Sequence, residues 1–91
     1  MDKKILKAVI DIINILVDDS HITIDQIDED LTKFGVDSLV FIRMILILEE
    51  EFKVEIPDEF LLITKMNTIR KIVDLIYSLS ISVKGVKAYE L

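Results

Sequence analysis

The residues best placed to do chemistry are Asp37 and Ser38, in the run Phe34-Gly35-Val36-Asp37-Ser38-Leu39. Both are types that open helices, because their side-chain oxygens accept the free backbone N–H groups of a first turn. Gly35, without a Cβ, supplies a bend at positive φ at little cost. Leu39 to Phe52 follow without Gly or Pro. The run therefore predicts a helix opened by Ser38, with its hydroxyl exposed at the end that carries partial positive charge. Such an end favours a phosphate. On local chemistry alone, most Asp-Ser pairs before a helix are only caps.

No other constellation competes with it. His21 is the only histidine and has no evident partner in the sequence, so it reads as a solvated loop residue. Asp28, Glu29 and Asp30 lack the alternating spacing and closing Glu of a calcium loop and read as solvated. Glu49, Glu50 and Glu51 occupy consecutive helix positions that point in different directions, so they make a solvated helix end rather than one site. There is no Gly-rich phosphate loop. With no Cys there is no thiolate metal site, and any thiol chemistry must come from an added group. No catalytic set and no metal ligands are assigned, and carriage of a group fits the residues better than catalysis.

Composition bounds the partners. The chain has 91 residues, enough for one domain, and 52% of them are hydrophobic, which supports a packed core rather than disorder. Its formal net charge of −6 repels nucleic-acid phosphates, so nucleic-acid binding is not expected. The longest apolar run, Leu39 to Leu48, holds Arg43 and is too short to span a bilayer. No secretory signal is evident, because Lys3 and Lys4 lead into an amphipathic pattern. A cytoplasmic protein without membrane insertion is the expectation.

The elements that must position Ser38 follow from periodicity. Lys3 to Asp18 reads as an amphipathic helix, with Ile5, Leu6, Val9, Ile12, Ile13 and Leu16 inward and Lys3, Lys4, Lys7, Asp11 and Asn14 outward. Ser20 to Val36 is a long connection in which Ile22, Ile24, Ile27, Leu31 and Phe34 peg the chain to the core, with a turn or two of helix within Gln26 to Lys33. In the second helix, Ser38 to Lys53, the residues Phe41, Met44, Ile45, Leu48 and Phe52 share the core stripe. Leu39, Ile42, Leu46 and Ile47 fall roughly opposite, with Arg43 and Glu50 among them. So small a domain lacks material to cover both faces, and the second is expected to stay exposed as a patch for partners. The alternative is that the Ser20–Val36 connection folds over it. Pro57 starts a short helix over Asp58 to Ile63, and Asn67-Thr68 caps a last helix from Ile69 to Leu79. Residues 1–79 are read as the domain and 80–91 as a loosely ordered tail. The fold class is all-α, a small bundle of three main helices plus one short helix, with a long first loop.

Three stretches, taken together, resemble the acyl carrier protein family. They are Phe34-Gly35-Val36-Asp37-Ser38-Leu39, Leu48-Glu49-Glu50-Glu51-Phe52 and Glu55-Ile56-Pro57-Asp58-Glu59, in the family's order and spacing. The resemblance covers roughly Ile5 to Leu79. It implies that Ser38 carries a covalent 4′-phosphopantetheine arm from coenzyme A, and that Asp37 beside it helps a phosphopantetheinyl transferase recognise the site. It implies that Leu39, Ile42, Arg43, Leu46, Ile47 and Glu50 form the docking face for that transferase and for enzymes that load and process acyl or aminoacyl groups. A monomer is expected. Family members that serve fatty-acid synthesis usually show acidic residues on this face, where Val40 and Arg43 stand here. With the segment Thr64 to Ile69, this departure points to a free-standing carrier of a polyketide, nonribosomal peptide or similar pathway. The alternatives are an unmodified helical adaptor and a small regulatory bundle with a chance Asp-Ser-Leu.

Overall fold

The computed structural model describes residues 1–18 and 20–90, with side chains as far as Ile81. It has three α-helices, α1 (Lys3–Leu16), α2 (Ser38–Phe52) and α3 (Ile69–Glu90), and among the described residues no strand. Helix α1 packs against both α2 and α3. Asp2 starts α1 by accepting the Ile5 N–H at 3.0 Å. From there Ile5, Leu6, Val9 and Ile13 are buried, and Ile12 and Leu16 pack partly against the core. Ile69, Ile72, Val73 and Ile76 supply the matching stripe of α3. Thr68 accepts from the Lys71 N–H at 3.2 Å at the start of that helix, as the Asn67-Thr68 signal predicts. Helix α3 runs past the Leu79 expected from periodicity, since no Pro follows to break it. The expectation of a loosely ordered tail over 80–91 falls mostly on residues whose side chains, beyond Ile81, lie outside the described ones.

The long connection is built as pegs and ties. Ile22, Ile27, Leu31 and Val36 are buried and Phe34 is half-buried, but Ile24 is 67% exposed. The chain forms one 3-10 turn at Ile24–Gln26 and another at Leu31–Phe34. The first is fixed by the Thr23 N–H donating to Gln26 Oε1 at 3.0 Å, and this leaves Ile24 on the rim of a shallow groove beside Leu6, Ile10 and Ile27. Backbone bonds join the connection to the start of α3: Leu31 N–H to the Asn67 carbonyl at 2.8 Å, and Arg70 N–H to the Ile27 carbonyl at 3.1 Å. Asp28 and Asp30 are therefore not merely solvated. Asp28 takes a two-pronged contact from the Arg70 guanidinium, and Asp30 accepts from the Thr32 N–H at 2.9 Å and from Asn67 Nδ2 at 3.1 Å.

Asn14, which the pattern assigns to the outer face of α1, turns inward at its tip. Its Oδ1 accepts from the Ser20 hydroxyl at 2.9 Å and from the Ile22 N–H at 3.1 Å. Ser20 is the buried polar residue among the described residues, 6% exposed. The expected short helix Asp58–Ile63 is reduced to one 3-10 turn, Asp58–Phe60. There the Leu61 N–H bonds the Asp58 carbonyl, and a separate turn then closes from Leu62 to Lys65 and Met66. Four consecutive apolar residues, Phe60 to Ile63, cannot all face the core of one continuous helix. Breaking the piece lets Phe60, Leu61 and Ile63 pack partly while Leu62 stays exposed.

Two outcomes follow for stability. Asn14→Ala leaves the buried Ser20 hydroxyl and the Ile22 N–H without their acceptor, and a drop of about 1–3 kcal/mol is expected in urea unfolding. Second, hydrogen bonds from Arg70 lower the carboxyl pKa of Asp28, and those from Thr32, then Asn67, lower that of Asp30. A carboxyl held lower in the fold than in the unfolded chain stabilises above the unfolded pKa of about 3.9 and stops doing so as pH falls through the folded value. Urea midpoints recorded against pH should fall below about pH 4. The fall should be shallower in the Asp28→Asn/Asp30→Asn double variant, which is less stable at neutral pH.

Candidate functional site

Ser38 is placed by the residues just before it. Gly35 sits at φ 85°, the left-handed turn that its type predicts, and a Cβ there would lie 3.2 Å from Val17 Cγ1. Val36, 1% exposed, pins the chain into the core immediately after the turn. Asp37 is then extended and caps α2: its Oδ1 accepts the Val40 N–H at 2.8 Å, and its carbonyl accepts the Phe41 N–H at 2.9 Å. The pair thus divides its work. Asp37 is the cap, and Ser38 is the first residue of the helix, exposed, with a hydroxyl that enters no hydrogen bond among the described residues.

The amides of Ser38 and Leu39 have no preceding helical carbonyl to bond, so the end of a 15-residue helix offers donors and partial positive charge beside that hydroxyl. A phosphodiester fits this donor set. The Asp37 carboxylate is next to it in sequence, and one of its oxygens is already committed to the Val40 N–H.

The rotation of α2 decides which of its residues face outward. Phe41, Met44, Ile45 and Leu48 are each at most 2% exposed. At roughly 100° per residue, Leu39, Arg43, Leu46, Ile47 and Glu50 then share one arc on the far side. All five are exposed, as predicted. Ile42 differs from the expectation: it lies at the edge of the arc and is half-buried against the core. The Ser20–Val36 connection does not fold over this face, because its ties run to α3. His21 is exposed in that connection.

Glu49 is the residue whose role the pattern missed. Its Oε2 accepts the Ile56 N–H at 2.8 Å and holds the chain as it leaves α2, where Lys53 takes the left-handed conformation at φ 54°. The signal available for it was its place one turn before the helix end, ahead of the Ile56-Pro57 segment. Glu50 and Glu51 are exposed, and Glu50 faces Lys53 at 3.5 Å.

The family model described as "phosphopantetheine attachment site" matches residues 3–76 of this chain. An acyl carrier protein of Buchnera aphidicola subsp. Schizaphis graminum (strain Sg) is 36% identical over 76 residues, which span 84% of this chain and 89% of that protein. No solved structure matches. The chain belongs to the acyl carrier protein family, as a carrier rather than an enzyme, with a covalently attached 4′-phosphopantetheine as its prosthetic group.

Proposed function

We propose that Ser38 is the attachment residue, and that the chain carries acyl or aminoacyl groups between enzymes of a specialised biosynthetic pathway. The observation that carries this reading is the division of labour at the head of α2. Asp37 does the capping, so the exposed Ser38 hydroxyl is spare.

In the loading step the Ser38 oxygen attacks the phosphorus of coenzyme A nearest the pantetheine. The Ser38 O–P bond forms and the pyrophosphate P–O bond breaks. Adenosine 3′,5′-bisphosphate leaves, and the hydroxyl proton passes to a base of the phosphopantetheinyl transferase. The chain supplies the exposed nucleophile, the helix end that tolerates the new charge, and the surface on which the transferase sits. The group, once attached, supplies a terminal thiol that holds cargo as a thioester. Tethering raises the effective concentration of that cargo at any enzyme that docks the carrier. Docking of this kind is brief, so a small patch of exposed aliphatics on a monomeric carrier suits it.

The specialised pathway rests on the same helix. Between Ser38 and Leu48 the only charged residue is Arg43, and Val40 stands in the first turn. Such a face suits enzymes other than those that select an acidic carrier, and the setting proposed is the cytoplasm. Among the described residues no helix is long and apolar enough to cross a membrane.

Incubation with a transferase and coenzyme A should add the mass of one phosphopantetheinyl group to the intact protein and none to Ser38→Ala. Ser38→Ala should keep its stability within about 0.5 kcal/mol, since the residue caps nothing. Asp37→Ala should cost about 1 kcal/mol of stability, and Asp37→Asn, which keeps a capping oxygen, much less. Slower modification of Asp37→Asn at unchanged stability would assign the carboxylate to transferase recognition as well. An unmodified wild-type chain would favour a helical adaptor instead. The holo protein should be a poor substrate for general fatty-acid elongation enzymes.

A further inference from the structure

We infer that the transferase reaching Ser38 meets α2 with an apolar socket that carries a carboxylate opposite Arg43; this rests on the proposed attachment at Ser38. Leu39 is 62% exposed, Leu46 59% and Ile47 41%, and all lie on the arc that also holds Arg43. Aliphatic side chains aligned in water form a surface whose covering is favourable. Arg43 stands at the centre of it, four residues after Leu39 and three and four before Leu46 and Ile47. Some surface charges on the fold have partners: Glu50 faces Lys53, Lys7 faces Asp11 and Arg70 holds Asp28. Arg43 has none among the described residues.

The local charge opposes the whole. The chain carries a net −6, yet Ser38 to Leu48 holds no acid and this one cation. Arg43 lies about 7.5 Å along the axis and roughly 140° around the helix from Ser38, so an enzyme that reaches Ser38 across the exposed arc that starts at Leu39 covers Arg43 as well. Covering an unpaired guanidinium with apolar surface alone costs desolvation, and covering it with a basic surface adds like-charge repulsion. A carboxylate offers the paired, charge-assisted contact that offsets both. A second copy of the chain is the rival occupant, since an antiparallel pair of α2 helices would set its Glu50 near Arg43. That arrangement joins two strongly acidic chains and shuts the face beside Ser38.

The test uses the full apo chain, the phosphopantetheinyl transferase of the same host and coenzyme A, with intact mass followed in time. Arg43→Glu is expected to raise the KM for the carrier about tenfold with kcat within about twofold, and Arg43→Lys to stay close to wild type. Added salt should raise the wild-type KM and narrow its gap from Arg43→Glu, because screening weakens an attraction in one and a repulsion in the other. Circular dichroism should show all variants folded, as Arg43 is exposed. An Arg43→Glu KM equal to or below wild type would mean a neutral or basic socket and overturn the inference. So would sedimentation that shows a wild-type dimer at assay concentrations and an Arg43→Glu monomer, which would assign the patch to a second copy. A wild-type chain that gains no mass at all would instead sink the attachment at Ser38.

Discussion

The rotation of α2 about its own axis is the constraint on which the rest depends. Phe41, Met44, Ile45 and Leu48 are pressed into the core with almost no exposure, and close packing leaves no freedom to turn the helix. Because side chains repeat every 3.6 residues, seating that stripe sends Leu39, Arg43, Leu46 and Ile47 to the opposite side. Ser38, nearly in line with buried Ile45, is exposed because it is the first residue of the helix. The core and the exposed arc of α2 are thus one decision, made by the same few aliphatic and aromatic residues.

The connection before α2 makes that decision usable. It is long enough to have covered the second face, but its hydrogen bonds lead elsewhere. Leu31 and Asp30 tie to Asn67, Asp28 ties to Arg70, and Asn14 gathers Ser20 and Ile22 against α1. Exposed ion pairs contribute little each. The backbone bonds between Ile27–Leu31 and Asn67–Arg70, with the buried pegs beneath them, set the path. The outcome is a bundle whose connection stabilises α3 and leaves α2 bare.

Energetics and carriage are compatible here because they use different atoms. The cap of α2 comes from the Asp37 carboxylate, and the exit of α2 is held by the Glu49 carboxylate on the Ile56 N–H. Neither takes the Ser38 hydroxyl. A serine that capped its own helix would have to give up that bond when modified, at a cost of about 1 kcal/mol. At the first helical position it gives up nothing of the kind. The cap of α2 therefore does not depend on the Ser38 hydroxyl.

Local chemistry and periodicity determined much of this protein. The positive φ at Gly35, the start of α2 at Asp37-Ser38, the buried stripes of α1, α2 and α3, and the exposed arc of α2 all follow from short-range rules, because helix faces and caps involve residues within a few positions of one another. Only the tertiary structure decided which of Asp37 and Ser38 is the cap, since both types can accept the same N–H. It also decided that Ile24 faces outward where Ile22 and Ile27 face in, and that Asn14 serves the core. It gave Asp28, Asp30 and Glu49 structural partners, and it broke the Asp58–Ile63 piece after one turn. In each case the partner lies on a different element, or along a connection without a repeating period. A pattern of types carries no record of which distant backbone group will need an acceptor.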